Sequence, residues 1–74
     1  MIVTTSRHAS KKLKGVALSF SNDIDGKYIN RGKKTINDLV LLSLKYGIKK
    51  ITIITSKEKK DCLKVLGENN WKWL

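Results

Sequence analysis

The chain has 74 residues, with sixteen lysines and arginines against six aspartates and glutamates, which gives a formal net charge of +10. This length allows a single domain, residues 1–74, that buries only about 60% of its unfolded surface. The apolar runs are too short for a membrane span or a signal peptide, and the lone Cys62 excludes an internal disulfide, so we expect a cytoplasmic protein.

The first part of the chain predicts a strand, a helix and a second strand. Residues 2–5 form a β-branched run that is typical of a strand. Ser10 is a suitable N-cap for a helix over residues 11–21, where apolar residues recur at i, i+3, i+4 and i+7. A turn over residues 22–26 then leads to a brief strand at residues 27–29.

The middle of the chain predicts a second helix and a third strand. Thr35 and Asp38 have the spacing of a capping box, and Gly47 is a natural end for the helix that begins there. The apolar stripe of this helix is wider than one sheet face requires. Residues 51–55 form an apolar strand that is suited to the centre of a sheet. The β-α-β-α-β order predicts parallel strands that are joined by right-handed crossovers.

The last part of the chain fits two structures. One is a helix between Ser56 and Gly67, and the other is a hairpin with strands at residues 62–66 and 71–74. Apolar residues alternate in both runs, which favours the hairpin. The predicted fold class is therefore α/β, a β-α-β-α-β unit with a mostly parallel sheet followed by a C-terminal β-hairpin.

The positive charge indicates a polyanionic partner. An excess of this size in a short chain is typical of nucleic-acid binding, although a lysine-rich solubilising surface is the simpler alternative. The basic residues gather at two junctions, near residues 7–14 and 31–34, and mere solubility does not require that clustering. Three lysines also lie in the first turns of the first helix, where the macrodipole disfavours cations, which suggests a ligand that supplies negative charge.

Parallel strands would bring the loops that follow them to one edge of the sheet. Ligands bind at this carboxyl-end edge in open α/β sheets, and two helix N-termini would favour anions there. We therefore predict a phosphate-binding edge that includes the loops at residues 6–8, 30–34 and 56–57. The candidate RNA-binding residues are Arg7, His8, Lys11, Lys12, Lys14, Asn30, Arg31, Gly32, Lys33 and Lys34. The arginines have a second interpretation, in which they brace the loops.

The sequence offers little for catalysis. It contains no GxGxxG or P-loop motif, so no cofactor is expected. His8 is the only histidine, no carboxylate adjoins it in sequence, and no second pair of ligands accompanies it for a metal. We expect a protein that is not an enzyme.

Two segments resemble the N-terminal part of the Brix domain, especially that of the short archaeal Brix proteins. They are IVTTSRHAS at residues 2–10 and YINRGKKTINDL at residues 28–39, in the same order and at similar spacing. The first segment departs from the family pattern at Ala9, because a proline is common at this position in Brix domains. The positions that match the two motifs are Thr5, Ser6 and Arg7, and Asn30, Arg31 and Gly32.

The resemblance implies a fold similar to the anticodon-binding domain of class II aminoacyl-tRNA synthetases. It also implies a non-catalytic role in ribosome biogenesis, in rRNA processing or subunit assembly, with ribosomal RNA or its precursor as the partner. A Brix domain is roughly twice as long and has two similar halves. This chain would correspond to the N-terminal half, with a homodimer or a missing second half-domain completing it.

Two other functions fit the sequence. A general DNA- and RNA-binding, chromatin-like protein would share the basic surface but would bind duplex DNA as well as structured RNA. A protein-interaction adaptor would instead dock a partner through the apolar second helix, at Leu41 and Leu42, and its basic edge would be incidental.

Overall fold

The computed structural model describes residues 1–74. Its elements in chain order are β1 (Ile2–Thr5), α1 (Lys11–Asp23), β2 (Lys27–Tyr28), α2 (Ile36–Lys45), β3 (Lys50–Ile54), β4 (Lys60–Gly67) and β5 (Asn70–Trp73). The strands form one sheet in the order β2-β1-β3-β4-β5. β1 is parallel to β2 and to β3, whereas β4 and β5 follow as antiparallel strands. The predicted α/β fold, with its C-terminal hairpin, is confirmed.

Capping groups set the ends of both helices. The Ser10 hydroxyl accepts a hydrogen bond from the Leu13 N–H at 3.1 Å, which starts α1 as expected. Thr35 and Asp38 form the reciprocal capping box of α2, with bonds of 2.9 and 3.1 Å. Gly47 follows α2 with a φ of 69°, a conformation that glycine adopts without a steric penalty.

Two boundaries differ from the prediction by two residues, and those of β2, β3, β5 and the end of β4 differ by one. The turn residues Asn22 and Asp23 belong to α1, because the Ile24 N–H still bonds to the Phe20 carbonyl at 3.1 Å. β4 begins at Lys60 rather than at residue 62, since its backbone pairs with the whole of β3. Both extensions consist of polar residues, so they lack the apolar pattern on which the prediction rests. Their backbone hydrogen bonds form regardless of the side chain.

The helices cover opposite faces of the sheet. α2 packs on one face, where the larger apolar cluster comprises Ile2, Leu39, Val40, Ile51, Ile53, Leu63 and Val65. α1 packs on the other face, where Ala17 meets Val3 and Ile54. This split follows from the alternation of side chains along β1 and β3. We call these surfaces the α2 face and the α1 face.

The α2 stripe is only partly buried. Leu39 and Val40 are fully buried and Leu42 is half-buried, but Leu41 remains 47% exposed on the surface. The stripe is therefore wider than the sheet covers. Neither helix combines the length and apolar content needed to span a bilayer.

The hairpin places its two tryptophans differently. Trp71 packs against the core of the α2 face and donates its indole N–H to the Asn37 side-chain oxygen at 3.2 Å. Trp73 makes an edge-on contact with Trp71, at 5.3 Å between ring centroids, and stays 51% exposed. Trp71 thus has a structural role, and Trp73 lies on the edge strand.

Candidate nucleic-acid interface

The loops after β1 and β2 meet at the carboxyl-end edge of the sheet. The parallel register continues beyond the strands, because the Ile29 N–H bonds to the Val3 carbonyl at 2.9 Å. The loop after β1 leads to α1 on one face, and the loop after β2 leads to α2 on the other. Neighbouring strands whose connections diverge in this way form the crevice where open α/β sheets bind ligands.

Arg31 ties these two loops together. It is only 7% exposed, and its Nη1 donates to the Thr5 carbonyl at 2.9 Å. Its Nε donates to the Lys34 carbonyl at 2.7 Å, so one guanidinium joins the last residue of β1 to the loop after β2. Burial lowers the pKa of Arg31, and the nearby positive charge of Arg7 lowers it further. The bracing interpretation of Arg31 therefore has direct geometric support.

A depression of about 230 Å³ lies between the loops. Five of the ten candidate residues line it, together with Thr5, Ser6 and Ala9; the five are His8, Lys14, Arg31, Gly32 and Lys33. We call this site the edge depression. The buried hydroxyl of Thr5 has no hydrogen-bond partner within the chain.

Two residues bend the loops around the edge depression through positive φ values. His8 has a φ of 60° and Gly32 a φ of 51°. Gly32 is the default residue for this conformation, whereas His8 adopts it at a steric cost. Nothing lies within 4 Å of the position that a Gly32 side chain would occupy, so the backbone of this loop is open to a ligand.

Four of the five remaining candidates, all except Lys12, lie on the segments that border the depression. The Lys34 ammonium donates a hydrogen bond to the Asn30 carbonyl at 2.9 Å, which holds this side chain against its own loop. Arg7 and Lys11 are exposed on the loop after β1 and on the first turn of α1. That first turn contains no acidic residue.

Asp38 is an acid that is close enough to this basic edge for Lys34 and Arg7 to affect its pKa, and it already has partners. Its pKa is lowered by the backbone and side-chain hydrogen bonds from Thr35, with smaller contributions from Lys34 and Arg7. Its carboxylate therefore caps α2 and carries its charge at neutral pH. The edge depression itself has no acidic residue in its lining.

Lys12 does not join the depression. It lines a separate open groove of about 520 Å³ between α1 and the β3–β4 loop, with Lys57 and Lys60. We call this the lateral groove. The Lys60 ammonium lies 4.5 Å from the centroid of the Phe20 ring, a cation–π contact. Lys57 lies in the loop after β3, as predicted, but it lines the lateral groove and not the edge depression. Lys60 is not among the candidate residues, because the sequence does not reveal the register of β4.

Two solved structures share this fold. Mil, an archaeal Imp4-like protein, superposes with a TM-score of 0.77 at 22% identity, over 90% of this chain and 45% of its own. A probable ribosomal biogenesis protein from Aeropyrum pernix K1 superposes with a TM-score of 0.79 at 20% identity, over 99% of this chain and 43% of its own. No protein-family model and no curated protein matches the chain.

These similarities establish the fold, and they are consistent with the resemblance to the Brix domain. The chain spans less than half the length of either neighbour. The match to the Aeropyrum pernix protein covers 99% of this chain, so it includes the hairpin, which lies beyond the two sequence segments that carry the resemblance.

Proposed function

We propose that the chain binds ribosomal RNA or its precursor at the edge depression and assists ribosome biogenesis without catalysis. The observation that carries the proposal is an acid-free depression at the carboxyl ends of parallel strands, lined by Lys14, Lys33 and the braced Arg31. The names of the two fold neighbours, an Imp4-like protein and a probable ribosomal biogenesis protein, agree with it. The cytoplasm is the compartment that we expect for this role.

The chemistry of the edge suits phosphate groups rather than base edges. Lysines, arginines and free amides at helix N-termini bind phosphate oxygens without reading sequence. Any preference for a particular RNA would come from its shape or from unpaired bases. Catalysis is not part of the proposal, because no carboxylate lies with His8 in the lining.

A salt series tests RNA binding at the edge. We expect wild type to bind a structured ribosomal RNA fragment with an affinity that falls steeply with salt, and to prefer it to a DNA duplex of equal length. The double substitution Arg7→Gln and Lys33→Gln should flatten the slope of log K against log salt by about two phosphate contacts. Both residues are exposed, so the change leaves the fold intact.

The control for this series is a pair of exposed lysines far from the edge, Lys45→Gln and Lys49→Gln. If the control pair flattens the salt slope equally, the binding depends only on the total charge of the chain, which would contradict the proposal. Equal affinity for duplex DNA would favour the chromatin-like alternative. Absence of binding at low salt would leave the adaptor as the better explanation.

We further propose that two copies of the chain associate through β5. This strand lies at the edge of the sheet, and the exposed apolar residues near it include Trp73 and Leu74. An edge strand with free backbone groups and apolar side chains is a template for pairing with another chain. In both fold neighbours more than half of the chain lies outside the matched part.

Sedimentation across protein concentration and salt tests this association. Each copy carries +10, so we expect the dimer to be favoured by higher salt, which screens the mutual repulsion. Trp73→Lys should abolish the dimer without unfolding the monomer, because that side chain is half-exposed. A monomer at several hundred micromolar in high salt would contradict self-association.

A further inference from the structure

Three lysines lie directly opposite one another on adjacent strands. Lys50 of β3 pairs with Lys64 of β4, and Lys64 pairs in turn with Lys72 of β5. All three side chains are exposed. We call them the lysine row.

The row lies on the α1 face of the sheet, beyond the area that α1 covers. Leu63 and Val65 are buried against the α2 face, so Lys64 between them lies on the opposite side. The same alternation places Thr52 and Cys62 on the α1 face. No acidic residue occupies this face of β3, or of β4 between Lys60 and Lys64.

Repulsion within the lysine row should lower the free energy of unfolding of the free protein. Like charges directly opposite on neighbouring strands are destabilising, and Lys64 has such a neighbour on each side. A lysine on an edge strand has an ordinary explanation, because it limits indiscriminate edge-to-edge pairing and leaves only the salt-dependent association proposed for β5. That explanation applies to Lys72 alone, since β3 is the central strand and β4 is also internal. It does not account for Lys50 and Lys64.

The lateral groove adjoins this open face. Lys60 lies on the same side of β4 as Lys64 and also lines the groove with Lys12 and Lys57. One acid, Asp23, lies among the groove residues against these three lysines. Basic side chains thus lie at two positions of β4 on the α1 face, with Cys62 between Lys60 and Lys64. The lateral groove shares no lining residue with the edge depression.

We propose that the lysine row and the lateral groove form a second contact surface for the phosphate backbone of RNA. The proposal rests on RNA binding by the chain, as proposed above, and extends it to a face of the sheet that has no assigned partner. The RNA phosphates would relieve the repulsion within the row on binding. Both tryptophans lie on or near the α2 face, so contact here is with the backbone rather than by base stacking on the sheet.

The substitution Lys64→Gln tests the proposal through two effects of opposite sign. Without RNA, it should raise the melting temperature by about 2–5 °C at low salt, because it removes two like-charge pairs. With a structured ribosomal RNA fragment, it should weaken binding and flatten the salt slope by about one phosphate contact. Lys49→Gln is the matched control, because Lys49 is also exposed and immediately precedes β3.

The outcomes separate this inference from the function on which it rests. If Arg7→Gln with Lys33→Gln weakens RNA binding but Lys64→Gln has the same RNA affinity as the Lys49→Gln control, the proposal for the lysine row is wrong. RNA binding at the edge depression would still be supported. If wild type binds no RNA, both proposals fall. A more stable Lys64→Gln protein that binds RNA less tightly, with Lys49→Gln unchanged in both respects, supports the row.

Discussion

Replacing Leu39 with alanine should lower the free energy of unfolding by about 2–5 kcal/mol, a larger loss than we expect for Arg31→Ala. Leu39 is fully buried in the core of the α2 face, where α2 meets the sheet. Its truncation removes apolar contacts and leaves a cavity that the short helix cannot close. A domain of this size has only a few kcal/mol of stability in total, so the variant should be largely unfolded.

Leu41→Ala provides the matched control in the same helix. Leu41 is 47% exposed, and its truncation should change the free energy of unfolding by less than about 0.5 kcal/mol. Urea denaturation of the two variants, followed by circular dichroism, measures the difference. Equal losses would mean that α2 packs through another face. If Leu39→Ala unfolds completely, Leu39→Val should still show a smaller, measurable loss.

Leu41→Ala also bears on the adaptor alternative. The variant is expected to keep the fold and the affinity for RNA, because Leu41 lies on α2 away from the basic loops. Loss of cellular function in a folded Leu41→Ala protein that still binds RNA would show that the exposed apolar stripe docks a partner.

Replacing Arg31 with alanine should lower the free energy of unfolding by about 2–3 kcal/mol. The guanidinium bonds to the carbonyl at the end of β1 and to one in the loop after β2, and its loss leaves the Thr5 carbonyl buried without that donor. The substitution should act mainly by lowering the stability of the free protein. RNA binding should weaken as a consequence, because the edge depression loses its shape. Chemical denaturation of the free protein measures the stability term without RNA.

Arg31→Lys and Arg7→Gln are the controls for this effect. Lysine keeps the charge but lacks the planar fork that bonds to two carbonyls, so Arg31→Lys should lose much of the same stability. Arg7 is exposed, and Arg7→Gln should change stability little. A fully stable Arg31→Ala protein would contradict the bracing role. For this reason the RNA-binding test uses Arg7 and Lys33 and leaves Arg31 in place.

Local signals in the sequence determined much of the fold. The N-caps at Ser10 and Thr35, the stop at Gly47 and the alternation in the hairpin are short-range effects, and each is found where the pattern predicts it. The β-α-β-α-β order also fixed the parallel pairing of the first three strands. It follows that the loops after β1 and β2 meet, which brings half of the candidate RNA-binding residues around one depression.

Only the tertiary structure decides which basic residues are buried and which are exposed. Arg31 and Lys33 are two positions apart in the same motif, yet one is buried as a brace and the other is exposed beside the edge depression. Lys50, Lys64 and Lys72 are remote in sequence, and only the antiparallel register makes them neighbours. Burial and register depend on how distant segments pair, because a one-residue shift moves every side chain of a strand to the other face. A sequence pattern determines the elements, whereas the contacts between them determine which charges face a partner.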